Sequence, residues 1–105
     1  MNTLNATTGA LRVLKAVKSV KTEAKAFAIY YGSYDNDVMD AISALDLGAM
    51  EDDNGYDIDV DCGGQPKKVR QGNWIVYDKD NNKLEVLEPG KFKAKYVVVK
   101  STDNK

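Results

Sequence analysis

The chain has 105 residues, 43% of them apolar, with two prolines and eight glycines, which is the size and composition of one globular domain. It has no histidine and one cysteine. The usual general base, the commonest metal ligand and an internal disulfide are therefore excluded. No apolar run approaches the ~18 residues that a membrane span needs.

The formal net charge of −1 conceals three blocks of charge. Residues 1–34 carry five bases against one acid, residues 35–66 carry ten acids and no base, and residues 67–105 carry ten bases against five acids. Nearly neutral proteins usually intersperse their charges, so the middle block predicts a strongly negative patch on the folded surface. The alternative is that the acidic block packs beside the basic blocks, which neutralise it in space.

The N-terminal segment has a mixed pattern. Residues 11–21 place their valines at helical spacing, although strand-like alternation fits almost as well. We assign residues 1–20 to an N-terminal arm or short helix, residues 21–100 to a single α+β domain and residues 101–105 to a flexible tail. The first twenty residues lack a continuous apolar stretch and a cleavage pattern, which predicts a cytoplasmic protein without a signal peptide.

A strand and then a helix are predicted next. Residues 23–31 alternate small side chains with large ones, as in a strand with one apolar face. The following turn supplies Asp35 or Asn36 as the N-cap of a helix from about residue 37 to 47, which Gly48 should end. The apolar stripe of this helix consists of Val38, Met39, Ile42 and Leu45.

The stretch "EDDNGYDIDVDC", residues 51–62, reads as a turn followed by a strictly alternating strand. One face carries Tyr56, Ile58, Val60 and Cys62, and the opposite face carries Asp57, Asp59 and Asp61. The aspartate row has two interpretations. It protects an edge strand from pairing with other chains, or it contacts a basic partner.

Catalytic, metal and cofactor sites are not indicated. An EF-hand aligned on Gly55 would place Met50 at its first ligand position, and residues two apart on a strand are too widely spaced to share one cation readily. Cys62 shares the apolar face and is expected to be a small buried hydrophobe. The acidic block would repel phosphates, which argues against direct binding of nucleic acid. We predict a protein that is not an enzyme and has no cofactor.

The last third of the chain has the clearest pattern. Residues 74–77 and 84–87 predict a hairpin, and Pro89 begins a predicted short helix of about residues 89–95 before a closing strand at 96–100. The segment "GNWIVYDKDNNKLEVLEPGKFKAKY" resembles short proteins of tailed bacteriophages and prophages. The matching residues are Gly72, Trp74, Ile75, Val76, Pro89, Phe92 and Tyr96.

The resemblance implies a shared fold and a phage origin, and it implies no chemistry. Asn73 and Gly90 stand where acidic residues are usual in that group. The predicted fold is α+β, with a mainly antiparallel sheet or partly closed barrel of about five strands and two helices.

The predicted function is that of a phage accessory protein, monomeric or dimeric, in the cytoplasm of the infected host. It would bind and modulate or inhibit a host protein with a basic surface, for instance a defence or nucleic-acid-binding protein. Tyr31 and Tyr34 are further candidate anchors. The alternative is a virion structural or assembly component that self-associates. The predicted partner-binding residues are Asp35, Asp37, Asp40, Asp46, Glu51, Asp52, Asp53, Tyr56, Asp57, Asp59 and Asp61.

Overall fold

The computed structural model describes residues 13–33 and 35–99. Within these ranges, the chain forms eight strands and two helices. In chain order they are β1 (Leu14–Ser19), β2 (Lys25–Tyr31), α1 (Asn36–Ala44), β3 (Gly48–Glu51), β4 (Ile58–Asp61), β5 (Lys67–Val69), β6 (Asn73–Asp78), β7 (Lys83–Leu87), α2 (Pro89–Lys95) and β8 (Tyr96–Val98).

The strands form two antiparallel sheets. The larger sheet has the order β7-β6-β2-β1-β8, and the smaller has the order β3-β4-β5. The α+β prediction is confirmed, and the larger sheet has the expected five strands. The described strands do not close into a barrel.

Residues 14–19 differ from the sequence-based expectation. They form β1, which pairs with β2 on one side and with β8 on the other. Val17 is buried between these neighbours. This stretch therefore belongs to the main sheet and is not a helix, because pairing on both sides selects the extended conformation that its ambiguous pattern also allowed. The remainder of the predicted arm, residues 1–12, and the predicted tail lie outside the described residues.

The predicted start of α1 is confirmed and its predicted end is wrong. The Asp35 carboxylate accepts a hydrogen bond of 2.9 Å from the Val38 backbone N–H, as an N-cap does. The helix ends at Ala44, because the chain turns through Asp46 in the left-handed conformation, with φ 61°. Gly48, the predicted stop, is the first residue of β3.

The predicted hairpin of β6 and β7 and the predicted helix α2 are both present. Asp78 pairs with Lys83 at the base of the hairpin turn, and Pro89 lies in the first turn of α2. Since β7 and β8 occupy opposite edges of the larger sheet, the segment that contains α2 crosses the sheet from one edge to the other. The Phe92 ring of α2 stacks on Trp74 with a centroid distance of 4.0 Å.

The two faces of the larger sheet carry separate apolar clusters. Among the described residues, thirteen buried side chains form the larger cluster, in which α1 and the smaller sheet pack together on one face. Six buried side chains form the other cluster, beneath α2. Alternation along β2 and β6 divides the strands between the two clusters, so Ile29 and Ile75 enter the first, and Ala28 and Val76 the second.

Candidate acidic interaction surface

The acidic block of the sequence folds into one layer of the molecule. We call residues 35–61, which comprise α1, β3, β4 and their connections, the acidic layer. Its inner side is apolar, because Val38 and Ile42 of α1 and Ile58 and Val60 of β4 are buried against the larger sheet. The carboxylates of the layer are exposed or half-buried. The layer therefore combines a packed inner side with a charged outer side.

The aspartate row lies on a central strand. β4 is flanked by β3 and β5, so the interpretation of this row as protection of an edge strand is wrong. Pairing places Asp59 between Met50 of β3 and Lys68 of β5, and Asp61 opposite Gly48. The Met50 side chain is 71% exposed. The sequence did not predict that Met50 lies on a strand, because "GAME", residues 48–51, shows no alternation of apolar and polar side chains.

The loop between β3 and β4 is fixed by its own hydrogen bonds. The Asn54 side-chain oxygen accepts from the backbone N–H groups of Tyr56 and Asp57 at 2.8 and 3.0 Å, and its amide donates to the Asp57 carboxylate at 2.9 Å. The Asp52 N–H donates to the Asp57 carbonyl, and Gly55 supplies a positive φ of 78°. The loop consequently presents its carboxylates from a defined backbone.

The exposure of the candidate tyrosine anchors differs from the prediction. Tyr56 was placed on the apolar face of its strand, but its side chain is 64% exposed because β4 begins only at Ile58. Tyr31 is fully buried and so does not serve as an exposed anchor. Its hydroxyl instead donates a hydrogen bond to the Tyr56 carbonyl, which fixes the loop from beneath. Tyr34 lies outside the described residues.

One ion pair reaches the acidic layer within residues 13–33 and 35–99. The Lys68 ammonium lies 2.8 Å from the Asp52 carboxylate. The hydrogen bond from Lys68 lowers the pKa of Asp52, and the same bond, together with the charges of nearby Asp57 and Asp59, raises the pKa of Lys68. No ion pair with another described residue neutralises the remaining nine carboxylates. Direct ion pairing between the acidic block and the described bases is thus limited to the contact of Lys68 with Asp52.

The predicted partner-binding residues do not all lie together. Asp35 is engaged as the N-cap of α1, and the Asp61 carboxylate accepts a hydrogen bond from the Gly63 N–H. Burial raises the pKa of Tyr77 and the charge of Asp46 adds to that rise, so Asp46 lies within electrostatic range of Tyr77 on β6. Cys62 is half-buried against the larger cluster.

Six of the eleven predicted partner-binding residues are exposed. They are Asp35, Asp40, Asp46, Glu51, Asp53 and Tyr56.

Neither a metal centre nor a membrane-spanning helix is present among the described residues. Among residues 13–33 and 35–99, no three Asp, Glu or Cys side chains are placed to hold a metal ion. Neither described helix is long and apolar enough to span a membrane. Comparisons of the chain with protein-family models, with curated proteins and with solved structures found no match.

Proposed function

We propose that this chain is a small, non-enzymatic phage accessory protein that binds and inhibits a host protein through the acidic layer. It acts in the cytoplasm of the infected bacterium. The phage origin is supported by the resemblance of residues 72–96 to proteins of tailed phages. The target presents a basic surface, such as the nucleic-acid groove of a defence protein, and the acidic layer occludes that surface by size and charge.

The observation that carries the proposal is the concentration of carboxylates in the acidic layer, only one of which forms an ion pair with a described base. Nine carboxylates without an ion-pair partner among the described residues share one layer of an 11.6 kDa protein. Such a concentration of one sign accelerates encounter with an oppositely charged surface and orients the approach. It also repels nucleic acid, so the proposed competitor of the host protein's natural ligand does not itself bind that ligand.

Charge alone supplies little affinity, so the proposal needs apolar anchors within the layer. Met50, 71% exposed, lies on β3 opposite Asp59, and Tyr56, 64% exposed, lies within the fixed β3–β4 loop. Interface hot spots are enriched in tyrosine and are usually surrounded by polar contacts that exclude water. Because the Tyr56 N–H and carbonyl are already hydrogen-bonded, the loop backbone is fixed before binding, which lowers the entropic cost of association.

The test is affinity capture from a bacterial lysate at low and high salt, followed by binding measurements with the purified target. The charge variant is Asp40→Asn, Asp53→Asn and Asp59→Asn, three carboxylates without a side-chain hydrogen bond among the described residues. The matched control is Glu23→Gln, Asp80→Asn and Glu88→Gln, which changes the net charge equally outside the acidic layer. We expect a salt-sensitive target whose association rate falls about tenfold in the charge variant.

The control variant should bind the target like the unmodified chain. Equal loss of binding in both variants would show that net charge alone is responsible and would contradict a role for the layer. An association rate that is unchanged in the charge variant at low salt, with the fold intact, would equally contradict it.

A virion structural or assembly component is the second candidate. The observation that favours it is that β3 and β8 are edge strands with exposed side chains. It predicts concentration-dependent assemblies of the chain in sedimentation velocity. The inhibitor proposal predicts a monomer or dimer that forms a complex with a different protein.

A further inference from the structure

The outer edge of β8 carries backbone groups that have no partner among residues 13–33 and 35–99. The Lys95 carbonyl accepts from the Val20 N–H, and the Val99 N–H donates to the Ala16 carbonyl, both at 2.8 Å. Hydrogen bonding alternates along an antiparallel strand, so Val97 also pairs toward β1. The carbonyls of Tyr96 and Val98 and the Val98 N–H therefore point outward, where no described strand lies.

This edge lacks the features that usually prevent a strand from pairing. Natural edges are protected by charged residues, proline or bulges. The three residues after Tyr96 are instead Val97, Val98 and Val99, which are 44%, 48% and 41% exposed. β-branched side chains favour the extended conformation, so the segment is already shaped as a template for one more strand.

An apolar cleft adjoins the same edge. Its volume is about 470 Å³, and it is lined by Trp74, Pro89, Phe92, Lys93, Tyr96, Val97 and Val98. The cleft lies beside the Trp74–Phe92 stack, so its floor is aromatic. On the opposite face of the sheet, the exposed Lys18 lies across from Val97, and the exposed Lys25 lies across from Lys18.

We propose that the β8 edge and this cleft bind an extended peptide of alternating acidic and apolar residues by strand addition. Each property of the occupant follows from one observation. The outward N–H and C=O groups of Val98 pair with an extended backbone, and the cleft receives its apolar side chains. Its remaining side chains point to the opposite face of the sheet, where Lys18 and Lys25 attract carboxylates. The site is separate from the acidic layer and does not depend on the function proposed for that layer.

The experiment uses the full chain and a synthetic probe, the acetylated and amidated peptide Glu-Val-Asp-Phe-Asp-Val-Glu. Trp74 is the only tryptophan of the chain, so its fluorescence reports occupancy of the cleft directly. We expect a saturable change with this peptide and none with the analogue in which lysine replaces every acid. Val98→Pro, which removes the outward N–H without touching the pairing with β1, should weaken binding about tenfold.

The controls separate strand addition from loss of folding. Lys18→Glu leaves the β8 backbone unchanged and should also weaken binding. Peptides N-methylated at the odd or at the even positions should differ, because only one set faces β8. No saturable binding, equal binding of the lysine peptide, or equal binding of both methylated peptides would overturn the proposal. A dimer that Val98→Pro dissociates, without peptide binding, would overturn it in favour of a second copy of the chain.

Discussion

The two faces of the larger sheet are covered very differently. One face is packed beneath a helix and three strands over thirteen buried residues, whereas the other is crossed by the seven-residue helix α2 over six. The acidic layer is attached to the better packed face. Burial of apolar surface contributes about 25 cal/mol per Å², and this term offsets the mutual repulsion of the carboxylates on the outer side. The concentrated negative charge thus lies over the larger apolar cluster, whose burial best offsets the repulsion between the carboxylates.

The α2 face depends more on a few polar contacts. The Tyr96 hydroxyl donates to Glu85 at 2.8 Å, and the Lys95 ammonium lies 3.2 Å from the same carboxylate. Burial would raise the pKa of Glu85, but the hydrogen bonds from Tyr96 and Lys95 outweigh it and keep that pKa below its usual value. This cluster connects edge strand β7 with the chain that enters the opposite edge strand, β8.

The largest expected effect is the loss of stability when a buried leucine is replaced by alanine, and this loss should differ between the two faces of the larger sheet. Leu45, 1% exposed, belongs to the larger cluster, and Leu87, 9% exposed, to the smaller. We expect Leu45→Ala to lower the free energy of unfolding by about 4 kcal/mol and Leu87→Ala by about 2 kcal/mol, because a cavity in the open cluster collapses more readily. Urea denaturation monitored by circular dichroism measures both. Equal losses would contradict the contrast between the faces.

A smaller and pH-dependent effect is expected at Tyr96. Burial, reinforced by its hydrogen bond to Glu85, raises the pKa of Tyr96 to about 12. Tyr96→Phe should therefore lower the free energy of unfolding by about 1.5 kcal/mol at neutral pH. The unfolded phenol ionises above about pH 10 while the folded one stays neutral, so the unmodified chain loses stability from there to about pH 12 and the difference between the two proteins narrows. Urea denaturation as a function of pH tests this, and a constant difference would contradict it.

The smallest expected effect concerns the acidic layer itself. Asp35→Ala removes the N-cap of α1 and should lower the free energy of unfolding by about 1 kcal/mol. Asp40→Ala is the matched control, since Asp40 is exposed within the same helix and should change stability by less than about 0.5 kcal/mol. Thermal and urea unfolding of the two variants distinguish them. Equal losses of stability in the two variants would show that the charge of these residues, and not the N-cap hydrogen bond of Asp35, stabilises α1.

Local signals in the sequence predicted local structure well. The Asp35 cap, the β6–β7 hairpin and Pro89 in the first turn of α2 depend on a few neighbouring residues, and all are present. β3 was missed because its four residues are all exposed and carry no periodic pattern. Asp46, not a glycine, adopts the left-handed turn after α1, which propensity alone disfavours.

The structure of the candidate site depends on contacts between residues that are distant in the sequence. The alternation of β4 correctly separated buried Ile58 and Val60 from the aspartates, but it contained no information about the strands on either side. Position within a sheet is decided by pairing between distant segments, so the sequence did not reveal that β4 is central. The same limit applies to Tyr31, whose burial depends on contact with the β3–β4 loop.

The order of strands in the larger sheet bears on how the chain folds during its synthesis. β1 is the first described strand to leave the ribosome, yet its second neighbour, β8, is the last. At ~5–20 residues per second, β1 waits roughly 4 to 15 seconds for this partner. Throughout that interval the nascent sheet can reach only four strands, with β1 at its open edge. A chain truncated before α2 would therefore keep β1 as an edge that can pair with other chains.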